Sequence, residues 1–255
     1  MPEFRHSKNI TKEEKSAYEK IRRNIAGLID NGATLQMGIG ILPDVVLQFL
    51  TNKRDLGVHT EMFSDNLIDL IKSGIINGEK KTLLPRKVVS SFILGTKKVF
   101  DYLNDNPVFE FRPTKFVNDP FTISRNDNMV SINSALEVDI TGQVCADSIG
   151  TNNYSGIGGQ LDFIRGSAKS KNGKPIIAFT STAKVGTVSK IVPFLKQGAG
   201  VTTTRADVHY IITEYGIASL YGKSIRKRVR SLIAIAHPDF RGKLEKYAFE
   251  VKYIK

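Results

Sequence analysis

Strand-like and helix-like segments alternate along the first hundred residues, and this alternation most restricts how the chain can fold. The apolar segments ATLQM, LGVHT and KVVSSFILG have the character of strands. The segments PDVVLQFL, DNLIDLIKSG and TKKVFDYLN follow them in turn and have the character of helices. Because strands that alternate with helices are typical of parallel sheets, we expect an α/β fold with an open, mostly parallel sheet flanked by helices.

The segment that precedes the first strand predicts a helix. Thr11 and Glu14 form a capping box, and Asn31-Gly32 marks the stop. One apolar stripe runs along this segment: Ala17, Tyr18, Ile21, Ile25, Leu28 and Ile29. Pro43 is well placed for the first turn of the next helix, PDVVLQFL.

From about Asn126 the chain becomes rich in strand-like segments, among them KPIIAFT, GVTTT and VHYIIT. The segment KSIRKRVRSLIAIA predicts a last helix, which Pro238 ends. There is no repeat, low-complexity tract or obvious linker. We therefore predict a linker and leading helix over 1–32 and one α/β domain over 33–255.

The composition is that of a globular protein, with 41% hydrophobic and 24% charged residues among 255. The single cysteine, Cys145, excludes an intramolecular disulfide and suits a reducing compartment. The start, MPEFRHSKNITKEEKS, lacks the apolar centre of a signal peptide. No apolar run approaches the roughly 18–20 residues that cross a bilayer. We expect a soluble protein without a membrane partner, located in the cytoplasm or, in a eukaryote, alternatively in mitochondria.

The formal net charge of +12 invites an interpretation as a nucleic-acid-binding protein. The basic residues are spread along the chain, however, with one dense cluster, KSIRKRVR, over 223–230. That cluster is interpreted first as a solvated helix face, and it also suits an anionic small molecule. Because no zinc-finger, RRM-like or heptad pattern is present, we expect no nucleic-acid partner.

Several familiar motifs are not met. GIGILP, over 38–43, has proline at the third glycine position of the dinucleotide fingerprint. GIASLYGKS, over 216–224, has five residues between its glycines where a phosphate loop has four. There is no G-x-S-x-G elbow, and the four histidines lack metal-ligand spacing. Cys145 lies in a strand-like segment and is interpreted as a core residue.

Glycine-rich turns and two carboxylates remain as candidates. The turn SGIGGQLDF, over 155–163, and the GIG of 38–40 allow close approach of backbone N–H groups to an oxyanion or phosphate. Glu61, in HTEM, ends a strand-like segment just before a helix, where α/β folds usually bind ligands. Glu214, in ITEYG, has a similar setting. Helix capping or ion pairing would explain either glutamate equally well, and the local pattern does not rank them.

Eight segments in one order resemble a known family: LQMGIGILPDVVL, HTEMFSD, VNDP, INSALEVDITGQV, SGIGGQLDF, STAKVGTVSKIVP, ITEYGIASLYGKSIRKR and IAHPDFR. Together they resemble the acetyl-CoA hydrolase/transferase family, which includes 4-hydroxybutyrate and acetate CoA-transferases. The likeness extends from Ala33 to Leu244. It implies a class I CoA-transferase fold of the C-terminal-domain type, CoA as the cofactor-like substrate, no metal, and a covalent glutamyl-CoA thioester.

The resemblance also implies roles for individual residues. Glu61 matches the family's nucleophile, so the resemblance ranks Glu61 above Glu214 as the candidate nucleophile. Gly159 matches the oxyanion-hole glycine, and Asn118 matches an asparagine near the acyl group. The remaining matches are to CoA-binding positions: Gly38, Ile39, Gly40, Ile41, Leu42, Leu136, Ser155, Gly159 and Lys184.

The sequence departs from the family pattern at two motif positions and in length. Asn66 replaces a glycine after HTEMFSD, and Thr180 stands where relatives often have proline. Family members generally carry an additional N-terminal domain, so we expect this chain to be a fragment, a truncated gene product or one subunit of a split enzyme. We expect acyl-CoA and short-chain carboxylates as partners, with a homodimer or a separate N-terminal-domain chain also possible.

Three functions follow from the resemblance. The first is a CoA-transferase of the acetate or 4-hydroxybutyrate type. The second is an acetyl-CoA hydrolase that uses the same intermediate. The third is a non-catalytic CoA-binding fragment.

Overall fold

The computed structural model describes residues 11–38 and 46–255. Its strands, in chain order, are β1 (Thr34–Met37), β2 (Gly57–Phe63), β3 (Val88–Ile93), β4 (Phe109–Phe111), β5 (Met129–Asn133), β6 (Glu137–Asp139), β7 (Val144–Cys145), β8 (Ser148–Ile149), β9 (Asn152–Asn153), β10 (Lys174–Ala178), β11 (Thr182–Ala183), β12 (Val188–Ser189), β13 (Ile191–Val192), β14 (Tyr210–Thr213) and β15 (Gly216–Ser219).

The α-helices of the described residues are α1 (Lys12–Leu28), α2 (Ile68–Lys72), α3 (Lys97–Leu103), α4 (Thr114–Val117), α5 (Pro120–Ser124), α6 (Gln160–Lys169), α7 (Ile225–Ala234) and α8 (Pro238–Glu250). Two short 3₁₀ helices lie at Leu47–Phe49 and Asp65–Leu67.

The eight main strands form one sheet in the order β15-β14-β10-β5-β1-β2-β3-β4. Every neighbouring pair is parallel except β14 and β15. Strands β1 to β4 are added in one direction, after which the chain returns and places β5 on the free side of β1. The direction of winding therefore reverses at β1. In open α/β sheets, ligands bind at the carboxyl ends of the strands beside such a reversal.

The sheet is buried on both faces, as parallel sheets usually are. Because successive strand residues point to opposite faces, Ile176 and Ile177 of β10 join different hydrophobic clusters. The first cluster includes the α1 stripe, with Ile21 and Ile25 fully buried. The second includes apolar residues of α7 and α8. Helices thus cover both faces and leave the carboxyl edge of the sheet for function.

The predicted α/β fold with an open, mostly parallel sheet is confirmed. Helix α1 begins with the predicted capping box, in which Glu14 N donates to Thr11 Oγ1 and Thr11 N donates to Glu14 Oε2. Cys145 is fully buried in β7, as expected of a core residue. Among the described residues, no helix is both long and apolar enough to cross a membrane.

Three expectations were wrong in detail. The strand that was expected to end at Glu61 continues to Phe63, because β3 keeps pairing with it there. The segment GVTTT forms only an isolated bridge, between Thr203 and Val144. Pro238 begins a further helix, α8, because proline at the first helical position sacrifices no hydrogen bond. Of the predicted helix PDVVLQFL, 43–45 lie outside the described residues, and Leu47–Phe49 form a 3₁₀ helix.

The basic cluster of 223–230 is largely a solvated face of α7, with Arg226, Lys227 and Arg230 exposed. Arg228 is the exception, since it is buried and donates to the backbone carbonyl oxygens of Thr141 and Leu220. This side chain is therefore structural.

Candidate active site

The Glu61 carboxylate receives two hydrogen bonds from neutral donors that are distant in the sequence. The side-chain amide Nδ2 of Asn118 donates to Oε1 at 3.0 Å, and the backbone N–H of Gly159 donates to Oε2 at 3.1 Å. The partners lie 57 and 98 residues further along the chain. Each carboxylate oxygen therefore has its own donor.

Glu61 itself is held by the sheet. It lies in β2 and is half-buried, while the preceding residues of that strand are fully enclosed. On the neighbouring strand, the Ser90 hydroxyl donates to the carbonyl oxygen of Glu61 at 3.0 Å. The backbone at the candidate nucleophile is therefore fixed, and the carboxylate reaches from a rigid support toward solvent.

Among the described residues, no cation pairs with the Glu61 carboxylate. Within 11–38 and 46–255, the ion pairs of the structure involve other acidic residues. A carboxylate that is bound only by neutral N–H groups keeps its negative charge available to an incoming electrophile. This arrangement differs from the ordinary explanation that Glu61 serves an ion pair.

Asn118 lies between two short helices in the connection that crosses from β4 to β5. It ends α4, where its backbone N–H donates to Thr114 O at 2.8 Å. The next residue, Asp119, caps α5 by accepting from Thr122 N, and Pro120 occupies the first helical position. Two consecutive helix ends thus fix the asparagine, which is only 9% exposed.

Gly159 is the N-terminal cap residue of α6, so its N–H group points away from the helix toward Glu61. A Cβ atom at this position would lie 2.4 Å from Asn118 Nδ2 and 2.8 Å from Glu61 Oε2. The position therefore requires glycine because the two other site residues occupy the space. The partial positive charge of a helix N-terminus also favours a negative group here.

Two further carboxyl groups lie near the site. Burial raises the pKa of Asp162, and the negative charges of Glu61 and Asp119 raise it further, whereas Arg165 lowers it. Hydrogen bonds from Thr122 lower the pKa of Asp119. The surroundings of Glu61 are thus acidic as well as rich in N–H donors.

His59 precedes Glu61 by two residues and faces the same side of β2. It is fully buried, and its Nε2 lies 2.9 Å from the carbonyl oxygen of Val117. Burial lowers the pKa of His59 to about 4; the hydrogen bond to Val117 opposes this change, and the charge of Lys81 adds to it. The imidazole is therefore neutral at pH 7.

This pKa predicts acid sensitivity of the fold. Between pH 6.5 and 4 the unfolded chain binds a proton at His59 that the folded chain does not, so stability falls as the pH falls through this window. The shift from 6.5 to about 4 corresponds to roughly 3 kcal/mol of unfolding free energy. Urea unfolding at pH 7 and pH 4 should show this loss in the wild type. His59→Gln should show a smaller loss, and equal losses in both proteins would contradict the assignment.

The predicted CoA-binding loop begins at the carboxyl end of β1. Gly38 N donates to Ile132 O at 2.8 Å, which extends the contact between β1 and β5 by one residue. Its position next to the topological reversal agrees with the expected crevice. Ile39, Gly40, Ile41 and Leu42 lie outside the described residues.

The predicted CoA-binding residues Ser155, Lys184 and Leu136 share no hydrogen bond with Glu61. Ser155 is exposed in the loop before Gly159, where its hydroxyl donates to Gly156 O. Lys184 is exposed at the tip of the β11–β12 hairpin, with a φ of 48°. Leu136 is half-buried, and its N–H donates to Cys145 O. Their roles remain predictions.

Glu214 has a different environment from that of Glu61. Its two carboxylate oxygens accept from Ser181 N at 2.8 Å and Ser181 Oγ at 2.6 Å. It thereby anchors the loop that follows β10, which is an ordinary structural explanation. In the described part of the chain, no three His, Cys, Asp or Glu residues are grouped to hold a metal ion.

Two surface depressions formed by described residues lie away from Glu61. One, of about 390 Å³, is lined by residues of α1 and by Glu214, Tyr215 and Gly216. The other, of about 360 Å³, lies around Asn31 and Asp127. Neither depression includes Glu61, so the chemistry of its contacts identifies this candidate site.

Sequence reasoning missed His59 and Ser90, both of which contact this site. The histidine was considered only as a metal ligand, and a serine in a strand carries no signal of its own. The spacing of His59 and Glu61 along one strand was the available clue, since residues two apart share a face.

Comparisons with known proteins show a family to which the chain is similar. The family model described as acetyl-CoA hydrolase/transferase C-terminal domain matches residues 95–248. The 4-hydroxybutyrate coenzyme A transferase of Clostridium kluyveri is 56% identical over 224 residues, which are 88% of this chain and 52% of that protein.

Two solved structures are also similar. RipA from Yersinia pestis superimposes with a TM-score of 0.89 at 44% identity, over 93% of this chain and 54% of that one. A 4-hydroxybutyrate CoA-transferase from Porphyromonas gingivalis gives 0.82 at 48% identity, over 92% and 56%.

This chain spans about half the length of the curated relatives it matches. The family model nevertheless covers more than half of the chain, and the fold agrees with that of the similar structures. The chain therefore belongs to the acetyl-CoA hydrolase/transferase family, and its match is to the C-terminal domain of that family.

Proposed function

We propose that this chain carries the nucleophile of a CoA-transferase, which moves CoA between an acyl-CoA and a short-chain carboxylic acid through a thioester on Glu61. One observation supports this most directly: the Glu61 carboxylate has no cationic partner among the described residues and is held by two N–H donors. The C. kluyveri relative, named as a transferase, supports transfer as the reaction.

In the first step, one oxygen of Glu61 attacks the thioester carbonyl carbon of the acyl-CoA. The C–S bond breaks, CoA leaves as a thiolate, and a mixed anhydride joins the acyl group to Glu61. If Oε2 attacks, it becomes a poor acceptor and releases the Gly159 N–H. That donor is then next to the oxyanion that develops on the acyl group.

In the second step, the CoA thiolate attacks the carbonyl carbon of Glu61 and displaces the acyl group as a free carboxylate. The negative charge now develops on the oxygen that remains on the glutamyl group. Asn118 Nδ2 already lies 3.0 Å from Oε1, so it is placed to stabilise that charge. The two donors therefore serve two different tetrahedral centres.

A second carboxylate then reverses these steps. It attacks the glutamyl-CoA carbonyl to form a new anhydride, and the released thiolate takes the new acyl group. Glu61 returns to its free form, and neither oxidant nor metal enters the balance. The acyl-CoA and the acid exchange CoA without net hydrolysis.

CoA itself would be held along the carboxyl edge of the sheet. The backbone of 38–42, together with Leu136, Ser155, Gly159 and Lys184, is our proposed CoA-binding set. Lys184 is an exposed cation on a turn, which suits a phosphate group. Contacts to remote parts of CoA supply binding energy that can be used at the reacting carbon.

We propose 33–255 as the domain that contains both the nucleophile and the CoA-binding residues. Since relatives are about twice as long, the surface that selects the acid is proposed to lie largely on a further segment, a separate chain or a second copy of this chain. Glu61 is half-buried, so part of its side chain is accessible to such a surface.

Two alternatives differ in measurable ways. A hydrolase would form the same thioester but release CoA in the absence of an acceptor acid. A non-catalytic fragment would bind CoA without acylation. Glu61 is half-buried, so water as well as substrate can reach part of its side chain, and this keeps hydrolysis as the second candidate.

The decisive experiment is to trap the intermediate. The full chain is incubated with acetyl-CoA and then with borohydride, which reduces a glutamyl thioester to an alcohol, and the peptides are mapped. We expect the reduction at Glu61. A chain that binds CoA by calorimetry but is unmodified at Glu61 would favour the non-catalytic alternative. Release of CoA without added acid would favour hydrolysis.

A further inference from the structure

His59 joins the strand of the nucleophile to the segment that carries the amide donor. Nε2 of His59, on β2, lies 2.9 Å from the carbonyl oxygen of Val117, the last residue of α4. That carbonyl and the N–H of Asn118 belong to one peptide group. Asn118 Nδ2 then returns to β2 by donating to Glu61.

The direction of the first hydrogen bond is fixed by its partner. A carbonyl oxygen can only accept, so Nε2 of the neutral imidazole carries the proton and donates. Nδ1 is then unprotonated, and it has no hydrogen-bond partner among the described residues. Among the described residues, the His59 side chain thus makes one hydrogen bond, which it donates to the carbonyl oxygen of Val117.

The hydrogen bond from His59 satisfies a backbone carbonyl group at the end of α4. Helix α4 has only four residues, and the last carbonyl groups of a helix lack partners within it. His59 satisfies one of these groups, and its own side chain is fully buried. Its ring is packed between Phe116 and Phe163, whose centroids lie 6.5 Å and 6.2 Å away.

From this arrangement we propose that His59 is a positioning residue, which fixes the Val117–Asn118 peptide and thereby aims the Asn118 amide at Glu61. The expected effect on the rate of thioester formation rests on the proposed function. The hydrogen bond from Asn118 to Glu61 can be measured without catalysis. His59 touches no reacting atom, and it acts through Asn118.

The matched substitutions are His59→Gln and His59→Asn. Both introduce a primary amide, but glutamine places its N–H donor as many bonds from Cα as Nε2 of histidine, whereas asparagine is one bond shorter. We expect His59→Gln to form the thioester within about threefold of the wild-type rate, and His59→Asn to be slower by about 10- to 100-fold. KM for acetyl-CoA should change little in either variant.

A double-mutant cycle separates positioning from general damage. In an Asn118→Ala background, His59→Asn should cause almost no further loss of rate, because its effect passes through the missing amide. Equal losses in both backgrounds, or no loss in either, would overturn the proposal. If His59→Asn does not fold, His59→Leu replaces it in the cycle. Failure of both to fold would assign His59 to stability alone and would also overturn the proposal.

A spectroscopic measurement keeps this test independent of the proposed function. The Asn118 side-chain amide resonance is assigned by its loss in Asn118→Ala. Its downfield proton, bonded to Glu61, should move upfield in His59→Asn and remain in His59→Gln. An unmoved resonance in His59→Asn would overturn the inference. Absence of the thioester in the wild type would instead contradict the proposed function. The resonance of the Asn118 amide alone would then decide whether His59 positions Asn118.

Discussion

Glu61→Gln is expected to abolish thioester formation and CoA exchange, with a loss of at least about 10⁴-fold in kcat. An amide cannot take the place of the attacking carboxylate, and its NH₂ group would face either the Asn118 amide or the Gly159 N–H, both of which are donors. The measurement is exchange of label between acetyl-CoA and acetate, together with borohydride trapping.

Two control substitutions sharpen this result. Glu61→Asp keeps the charge but withdraws the carboxylate by one methylene, so it should retain a trace of exchange above that of Glu61→Gln. Glu79→Gln breaks only an exposed ion pair with Arg86 and should leave exchange unchanged. Thioester trapped on another residue in Glu61→Gln would show that the nucleophile has been wrongly assigned.

The fold could be predicted from local patterns because helix caps and apolar periodicity lie within a few residues of each other. The capping box of Thr11 and Glu14 and the alternation of β1 to β3 with helices are such signals. The end of β2 was misjudged because it is set by pairing with β3, which a local pattern does not contain. Helix α8 was missed because Pro238 signals a helix start as well as a stop.

The candidate site could not be built from local patterns at all. Glu61 and Glu214 both follow a threonine near the end of a strand, and the structure separates them by their partners. Glu214 is engaged by Ser181, whereas Glu61 meets Asn118 and Gly159. Those partners come from connections on either side of β5, and only the order of strands in the sheet brings them together. The prediction that Glu61 acts together with Asn118 and Gly159 came from the resemblance to a family and not from the local pattern.

Gly159→Ala is expected to reduce kcat by about 10²- to 10³-fold while leaving the chain folded. The backbone at this position has φ −87° and ψ 7°, which alanine tolerates, so the substitution introduces no backbone strain. The added methyl group instead meets Asn118 Nδ2 at 2.4 Å and Glu61 Oε2 at 2.8 Å. Because Asn118 is enclosed, it can yield only by giving up its bond to Glu61.

Gly156→Ala is the matched control in the same turn. A Cβ there meets no atom within 4 Å, and the residue is exposed. Urea unfolding should place Gly156→Ala close to the wild type and Gly159→Ala within about 2 kcal/mol of it. Kinetics should separate them sharply, since only Gly159→Ala disturbs the two donors. If both variants exchanged CoA at the wild-type rate, the Gly159 N–H would have no part in stabilising the oxyanion, and the acyl group would have to bind away from the N-terminus of α6.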